Sequence, residues 1–293
     1  MPPDWIYAGS ILLIELRKKI TRRRPMSIVT ISRGSYSRGK EVAEKLARAL
    51  NYECLSREIV LEASVQFNIP EIRLIRAIHD APSILDRFTS GKERYIAFFR
   101  AALLKRVRED NLVYHGLAGH FFLQGVPHVL KVRIIANLES RVKEEMKREG
   151  ISAEEARRIL VKDDEERRKW SSHLYGVDTW DPMLYDLVIH IDNMGVEDAV
   201  ATILQALQRS CFSTTPSSQR RLDDLTLSAQ VEAALVNEFP KVTCTARNGE
   251  IFVNVRASLV EEESLTKKVS SIAEKVEGVK RIRVNVVPFV IED

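Results

Sequence analysis

An α/β fold built on a parallel sheet is what this sequence of 293 residues predicts, and three observations carry the prediction. Short apolar runs alternate with helical segments from residue 27 to residue 208. The first run leads through a glycine-bearing loop straight into an amphipathic helix. The runs are short and mostly apolar, as expected of strands covered on both faces.

Ser27-Ile-Val-Thr-Ile-Ser32 reads as the first strand and Arg33-Gly-Ser-Tyr-Ser-Arg-Gly39 as the loop. In the next segment Val42, Leu46, Ala49 and Leu50 recur at helical spacing, with Glu44, Lys45 and Arg48 on the other face. Helical patterns fill much of 57–110. Leu112 to Tyr114 and Val129 to Ile135 are apolar runs of strand length, and Leu138 to Lys147 is helical. Ser152 and Glu155 form a capping-box pair that opens the next helix, which runs into a charged stretch from Arg157 to Lys169. Leu187 to Ile191 is a further strand and Val196 to Gln208 a helix.

Residues 210–224 open with a Ser/Thr-rich, proline-bearing stretch and read as a linker between two units, 26–209 and 225–293. The tail then gives a helix from Leu225 to Phe239 and a strand from Val242 to Ala246. Arg247-Asn-Gly249 is a hairpin turn, and Ile251, Val253 and Val255 alternate as the next strand. A helix from Leu265 to Val276, a stop at Gly278 and a strand from Arg281 to Val287 complete an αββαβ order.

Bulk properties narrow the function classes. The net charge of +4 is spread through interspersed acids and bases, and aromatic residues make up 7%. A nucleic-acid binder is expected to show a clustered basic face with aromatics to stack on bases, so no nucleic-acid partner is expected. A basic pocket for phosphates fits the same charge. Cys54, Cys211 and Cys244 are far apart, with no C-x-x-C, which favours a reducing cytoplasm over a disulfide or zinc framework. None of the six histidines has H-E-x-x-H spacing, and His115 and His120 read as structural. No G-x-S-x-G elbow supports a hydrolase. Trp5 to Leu16 is apolar, but its basic residues follow it, the reverse of a secretory signal. Residues 1–25 read as an N-terminal extension before Met26.

Gly34-Ser-Tyr-Ser-Arg-Gly39-Lys40 fits G-x-x-x-x-G-K, between a strand and a helix. Backbone N–H groups of such a loop, together with the helix N-terminus, point at phosphate oxygens, and the lysine adds positive charge. Gly34, Ser35, Ser37, Gly39 and Lys40 are the candidate phosphate-binding residues. Glu41 stands where a Ser or Thr hydroxyl ordinarily meets Mg²⁺.

Residues 27 to 208 resemble the cytidylate kinase-like family of P-loop nucleoside monophosphate kinases. Ile31-Ser32-Arg33, the loop, Lys40 and Glu41-Val42-Ala43 match its opening. Ser56-Arg57-Glu58-Ile59 resembles the segment near the acceptor, and His115-Gly-Leu-Ala118 resembles Gly-Arg-x-Ala. Lys162-Asp-Asp-Glu-Glu-Arg167 is similar to the lid motif, and Trp180-Asp-Pro182 and Tyr185-Asp-Leu-Val188 follow it as in the family. The sequence departs from the pattern at Tyr36, Arg38, Ser56 and Leu117.

The resemblance implies five parallel strands in a three-layer P-loop fold with a helical lid, and phosphoryl transfer from ATP with Mg²⁺ to a nucleoside monophosphate. It assigns Lys40, Lys162 and Arg167 to catalysis. Gly34, Ser35, Ser37, Gly39, Lys40 and Glu41 are assigned to ATP, and Arg33, Arg57, Asp164 and Arg168 to the acceptor and lid. Residues 225–293 resemble a BON domain, an α/β module found in bacterial proteins, through Asn248-Gly249, the strand after it and Val276-Glu-Gly-Val279. That implies a protein or lipid partner. The alternative expectation is a catalytically degenerate nucleotide-binding or regulatory protein acting through that module.

Overall fold

The computed structural model describes residues 27–34, 37–56, 58–71, 73–74, 92–116, 119–258 and 261–288. The expected extension 1–25 and the departures at Tyr36 and Leu117 lie outside them. Strands β1 (Ile28–Arg33), β2 (Glu53–Leu55), β3 (Leu112–His115), β4 (Val129–Ala136) and β5 (Leu187–Ile191) form one sheet in the order β2-β3-β1-β4-β5. Every neighbouring pair is parallel, with Ile28 level with both Leu112 and Val129.

The apolar strands feed two cores because successive side chains leave a strand on opposite faces. Ile28, Leu112, Tyr114 and Val129 enter the core beneath α2 (Glu58–Phe67) and α3 (Lys92–Val107). Val29, Ile31, Val113, Leu130 and Val132 enter the other, beneath α1 (Gly39–Leu50). The expected three layers result. Strand β2 has no counterpart in the sequence reading: it is three residues long, with Glu53 exposed, too short for any periodicity.

The short helix α4 (Gly119–Phe122) lies between β3 and β4. After β4, helices α5 (Leu138–Glu149) and α6 (Ala153–Tyr175) form a hairpin with a small core of Val142, Ala156 and Leu160. Ser152 caps α6, its Oγ accepting from the Glu155 N–H at 3.2 Å. The charged stretch from Arg157 to Lys169 is thus the middle of one helix of 23 residues. Helix α7 (Val196–Leu207) follows β5 and covers the same face as α1.

The linker expected at 210–224 is corrected. Ser210–Phe212 is a 3₁₀ turn, and helix α8 runs from Pro216 to Leu235. The Ser/Thr/Pro composition that suggested a linker is a helix start. Thr215 Oγ1 accepts from the Ser218 N–H at 3.1 Å, Ser218 Oγ accepts from the Thr215 N–H at 2.9 Å, and Pro216 takes the first helical position, where no N–H is needed. Replacing Thr215 by alanine is expected to cost about 1 kcal/mol of stability, read as a shift of the urea midpoint.

Helix α8 contributes to two cores. Leu222, Ala229 and Ala233, with Val236 just beyond the helix, join the cluster around α3. Leu227, Val231 and Leu235 join the core of a second sheet. That sheet, in the order β6-β7-β8, comprises β6 (Thr243–Arg247), β7 (Glu250–Arg256) and β8 (Arg281–Val287), with α9 (Glu262–Ala273) between the last two. The first pair is antiparallel and the second parallel. Asn248 and Gly249, at φ 53° and 85°, make the tight turn that Asn-Gly favours. Among the described residues no helix is long and apolar enough to cross a membrane.

Candidate active site

The β1–α1 turn lies at the C-terminal ends of the sheet strands. Gly39 packs against the end of β1 so closely that a Cβ there would lie 2.7 Å from Arg33 Cβ, so only glycine lets helix and strand meet. Ser37 is buried, and its hydroxyl lies 3.1 Å from both the Gly34 and Ile134 carbonyls, either of which it can donate to. This pins the loop to β4. Arg38, the residue before α1, adopts a left-handed backbone at φ 62°. Its side chain reaches Glu41 Oε2 through Nε at 3.0 Å and through Nη2 at 2.8 Å.

Glu41 also accepts from Lys45, at 3.0 Å. Partial burial raises its pKa, but the hydrogen bonds from Lys45 and Arg38 outweigh this and leave it below the usual carboxylate value. Glu41 is therefore an ionised member of a local charge cluster on α1. Lys40 is exposed, its Nζ 3.7 Å from Glu44.

Opposite the loop stands α6. Arg167 donates to the Arg33 carbonyl at 3.3 Å, tying the lid helix to the end of β1. Arg33, Arg38, Lys40, Lys147, Arg148 and Arg167 line a cleft of about 680 Å³, together with the carboxylates Glu41, Glu44, Glu144 and Asp163. A second cleft of about 790 Å³ adjoins the loop at Gly34 and Ser37 and is lined by Asn137, Arg141, Arg168, Trp180 and His190.

Arg141 and Asp164 form a two-pronged pair, at 2.7 and 3.0 Å, between α5 and α6. Arg141 is only 7% exposed. The pair packs beside Gly34, whose Cβ position is 3.8 Å from Arg141 and Asp164 atoms. Asp164 thus ties α6 to α5. Its partner Arg141 was not singled out in the sequence, where it is one cation within the charged helix α5.

Arg168 donates to Asp178 through Nε at 2.8 Å, and its guanidinium lies 4.9 Å from the Trp180 ring centre. Lys162, expected with Arg167 over the transferred group, stands apart from it on α6. Five residues apart, the two point about 140° from one another around the helix. Lys162 is largely exposed, 3.8 Å from Glu166, and lines neither cleft. Ser35 and Arg57 lie outside the described residues.

Within the motif from Trp180 to Val188, Asp181, Tyr185 and Asp186 brace the scaffold, while Trp180, Pro182 and Val188 line the second cleft. Asp181 accepts from the Met183 N–H at 2.8 Å and starts a 3₁₀ turn, with Pro182 at its first position. Asp186 accepts from the Lys131 backbone N–H at 2.8 Å and from Lys131 Nζ at 3.0 Å. The buried Tyr185 hydroxyl lies 3.3 Å from Ser32 Oγ, from Arg133 Nη1 and from His120 Nε2, and donates to the Thr179 carbonyl at 3.0 Å.

Burial, assisted by Arg133 and Lys131, pushes the His120 imidazole from 6.5 down to about 3. Burial and the neighbouring Arg33 hold His115 down to about 4. Below pH 6.5 the unfolded chain takes up protons at these sites that the folded chain refuses. Their stabilising contribution is therefore complete above pH 6.5 and declines on acidification towards the folded values. Each histidine is expected to remove about 1 kcal/mol between pH 6 and pH 5. Urea titrations across that range should show the decline, with a shallower slope for His120→Gln.

No cluster of three or more metal-ligating side chains occurs among the described residues. The cleft suits an anion: a helix N-terminus and several cations converge on it.

A profile of the cytidylate kinase-like family matches residues 28–193. The cytidylate kinase of Methanopyrus kandleri is 42% identical over 106 residues, which cover 33% of this chain and 54% of that protein. The cytidylate kinase of Thermococcus kodakarensis is 31% identical over 104 residues, 36% of this chain and 53% of that protein. The chain spans about half the length of the curated relatives it matches. Among solved structures, a protein of Eubacterium ventriosum aligns at TM-score 0.49 and 20% identity, over 62% of this chain and 98% of that one. A shikimate kinase of Bacteroides thetaiotaomicron aligns at TM-score 0.40 and 12% identity, over 62% and 99%.

Proposed function

The chain belongs to the cytidylate kinase-like family, and from that premise we propose that it is an ATP-dependent nucleoside monophosphate kinase, transferring the γ-phosphoryl group to a nucleotide acceptor of the CMP class. The observation that carries this reading is the shared cleft, in which Lys40 at the start of α1 faces Arg167 on the lid helix. Phosphoryl transfer spreads negative charge over the equatorial oxygens in flight, and opposed cations stabilise that charge while the lid excludes water. Positioning and electrostatics do this work, so the absence of a strong base from the proposed machinery is no obstacle.

Gly34, Ser37, Gly39 and Lys40, with Ser35, would hold the donor phosphates. Arg33 and Arg57 would serve the acceptor. Mg²⁺ would be carried on the phosphates, as this ion ordinarily is, with few protein ligands. Glu44, Glu144 and Asp163 are the carboxylates of that cleft not already tied to Arg38. The neighbouring cleft offers the Trp180 ring and the polar groups of Asn137 and His190, surfaces that suit a base. We place this activity in the cytoplasm and read 225–293, joined to the kinase-like part through α8, as a BON-like unit with a partner of its own.

One observation favours a second reading, a nucleotide sensor without turnover: Glu41 is held by Arg38 and Lys45, in the place where the hydroxyl for the metal ordinarily stands. One assay separates the two. ATP consumption with Mg²⁺ is measured across CMP, dCMP, UMP, AMP and GMP. Turnover with one acceptor, abolished in Lys40→Ala, is the expected result. ATP binding by folded protein with no turnover for any acceptor would establish the sensor.

A further inference from the structure

The outer face of the second sheet gathers positive charge that the sequence scatters. Residues whose side chains alternate away from the α8–α9 core are Thr243, Thr245 and Arg247 on β6, Glu250, Phe252, Asn254 and Arg256 on β7, and Arg281, Arg283, Asn285 and Val287 on β8. Strand register sets them in rows. Arg247, Glu250 and Arg281 form one row, Thr245, Phe252 and Arg283 the next, and Thr243, Asn254 and Asn285 the third.

Four arginines thus stand on one face against a single carboxylate among the described residues. Glu250 lies 2.7 Å from Arg283 and 4.0 Å from Arg281, whose side chains remain 61% and 72% exposed. Arg247 and Arg256 are exposed and have no ion-pair partner among the described residues. At the centre is an aromatic ring: Arg283 lies over Phe252, 5.6 Å from its centroid. An amide pair, Asn285 donating to Asn254 at 3.0 Å, extends the polar row. The face continues into a cleft of about 920 Å³ against α3, where Asn254, Arg256 and Lys241 meet the Arg100–Glu232 pair and apolar side chains such as Phe122.

We propose that this sheet face binds single-stranded nucleic acid, with Arg281, Arg283, Arg247 and Arg256 on phosphates and Phe252 under a base. Charge complementarity selects a polyanion. Arg281 and Arg283, alternate residues of one strand, are about 6.6 Å apart, the scale of one step of an extended strand of nucleotides. A flat polar sheet with an aromatic at its centre offers bases a stacking surface beside the cations. A membrane surface is disfavoured because the exposed large apolar side chains among the described residues all lie at or before Met194, none on this unit. The sequence shows only interspersed charge here because these arginines come from three strands and meet through register.

The test is fluorescence anisotropy of the full chain with labelled oligo-U and oligo-dT of about 20 nucleotides, enough to span such a surface, in saturating ATP and CMP so that the kinase cleft is filled. Binding is expected, with a log–log salt slope of about −3 for four phosphate contacts. Arg281→Ala/Arg283→Ala should weaken it at least tenfold and flatten the slope. Phe252→Leu, which keeps an apolar side chain in place, should weaken it about tenfold, the scale of one stacking contact. Circular dichroism checks that each variant is folded. No binding by folded protein at low salt would overturn the proposal. So would binding unchanged in these variants, binding seen only without ATP and CMP, or capture by phosphatidylserine vesicles with no affinity for the oligonucleotide.

Discussion

Arg167→Ala is expected to slow phosphoryl transfer by a factor on the order of 10²–10³ while leaving the protein folded. The side chain reaches the cleft from the lid helix and donates to the Arg33 carbonyl at 3.3 Å. That bond places a guanidinium at the end of β1, opposite Lys40. A cation acting on charge that develops during transfer affects kcat, whereas one that only holds bound nucleotide affects KM. The loss is therefore expected in kcat, with Arg167→Lys recovering part of it by restoring the charge without the planar fork. An equal loss confined to KM would make Arg167 a ground-state anchor. Activity unchanged from the native chain would remove it from the machinery.

Asp164→Ala is expected to cost about 3 kcal/mol of stability, the lower end of the range for breaking a buried ion pair. Arg141 is 7% exposed, and its guanidinium uses both carboxylate oxygens of Asp164. Removing the carboxylate leaves a cation between α5 and α6 with its main anionic partner gone. Most of the cost comes from that stranded charge rather than from the pair's net worth. Arg141→Met combined with Asp164→Leu should therefore restore much of the lost stability, since apolar side chains of similar bulk avoid the desolvation of both ions. Urea denaturation of the native chain, Arg141→Met, Asp164→Leu and the double variant gives the coupling directly. The restored double variant should still be slow in the kinase assay if the pair holds α6 at the angle that carries Arg167 into the cleft.

The parts of this molecule that sequence made legible are those in which one run of residues does one thing. Ile28 to Ile31 is apolar on both faces because both faces are covered, and the loop to Gly39 is read from two glycines and a lysine. Strand β2 offers three residues and no pattern. Helix α8 hides its start because a Thr-Pro-Ser-Ser cap has the composition of a linker. Its two apolar stripes face different cores, so no single face stands out. Arg141 became visible only when folding set Asp164, 23 residues further on, against it. Lys162 lies apart from Arg167 because five positions are not a whole number of helical turns. The Arg33–Arg167 contact spans 134 positions and exists only through the fold.

The shared helix α8 has a consequence for inheritance and for proteolysis. With Leu222, Ala229, Ala233 and Val236 in one core and Leu227, Val231 and Leu235 in the other, neither half is self-sufficient. A nick or gene fusion near residue 209 would leave the first half with a bared apolar groove along α3 and prone to aggregate. The two halves should melt as one cooperative unit, and selection on either is felt by both. What looks in composition like a detachable appendage is bound to travel with its kinase-like neighbour as a single heritable block.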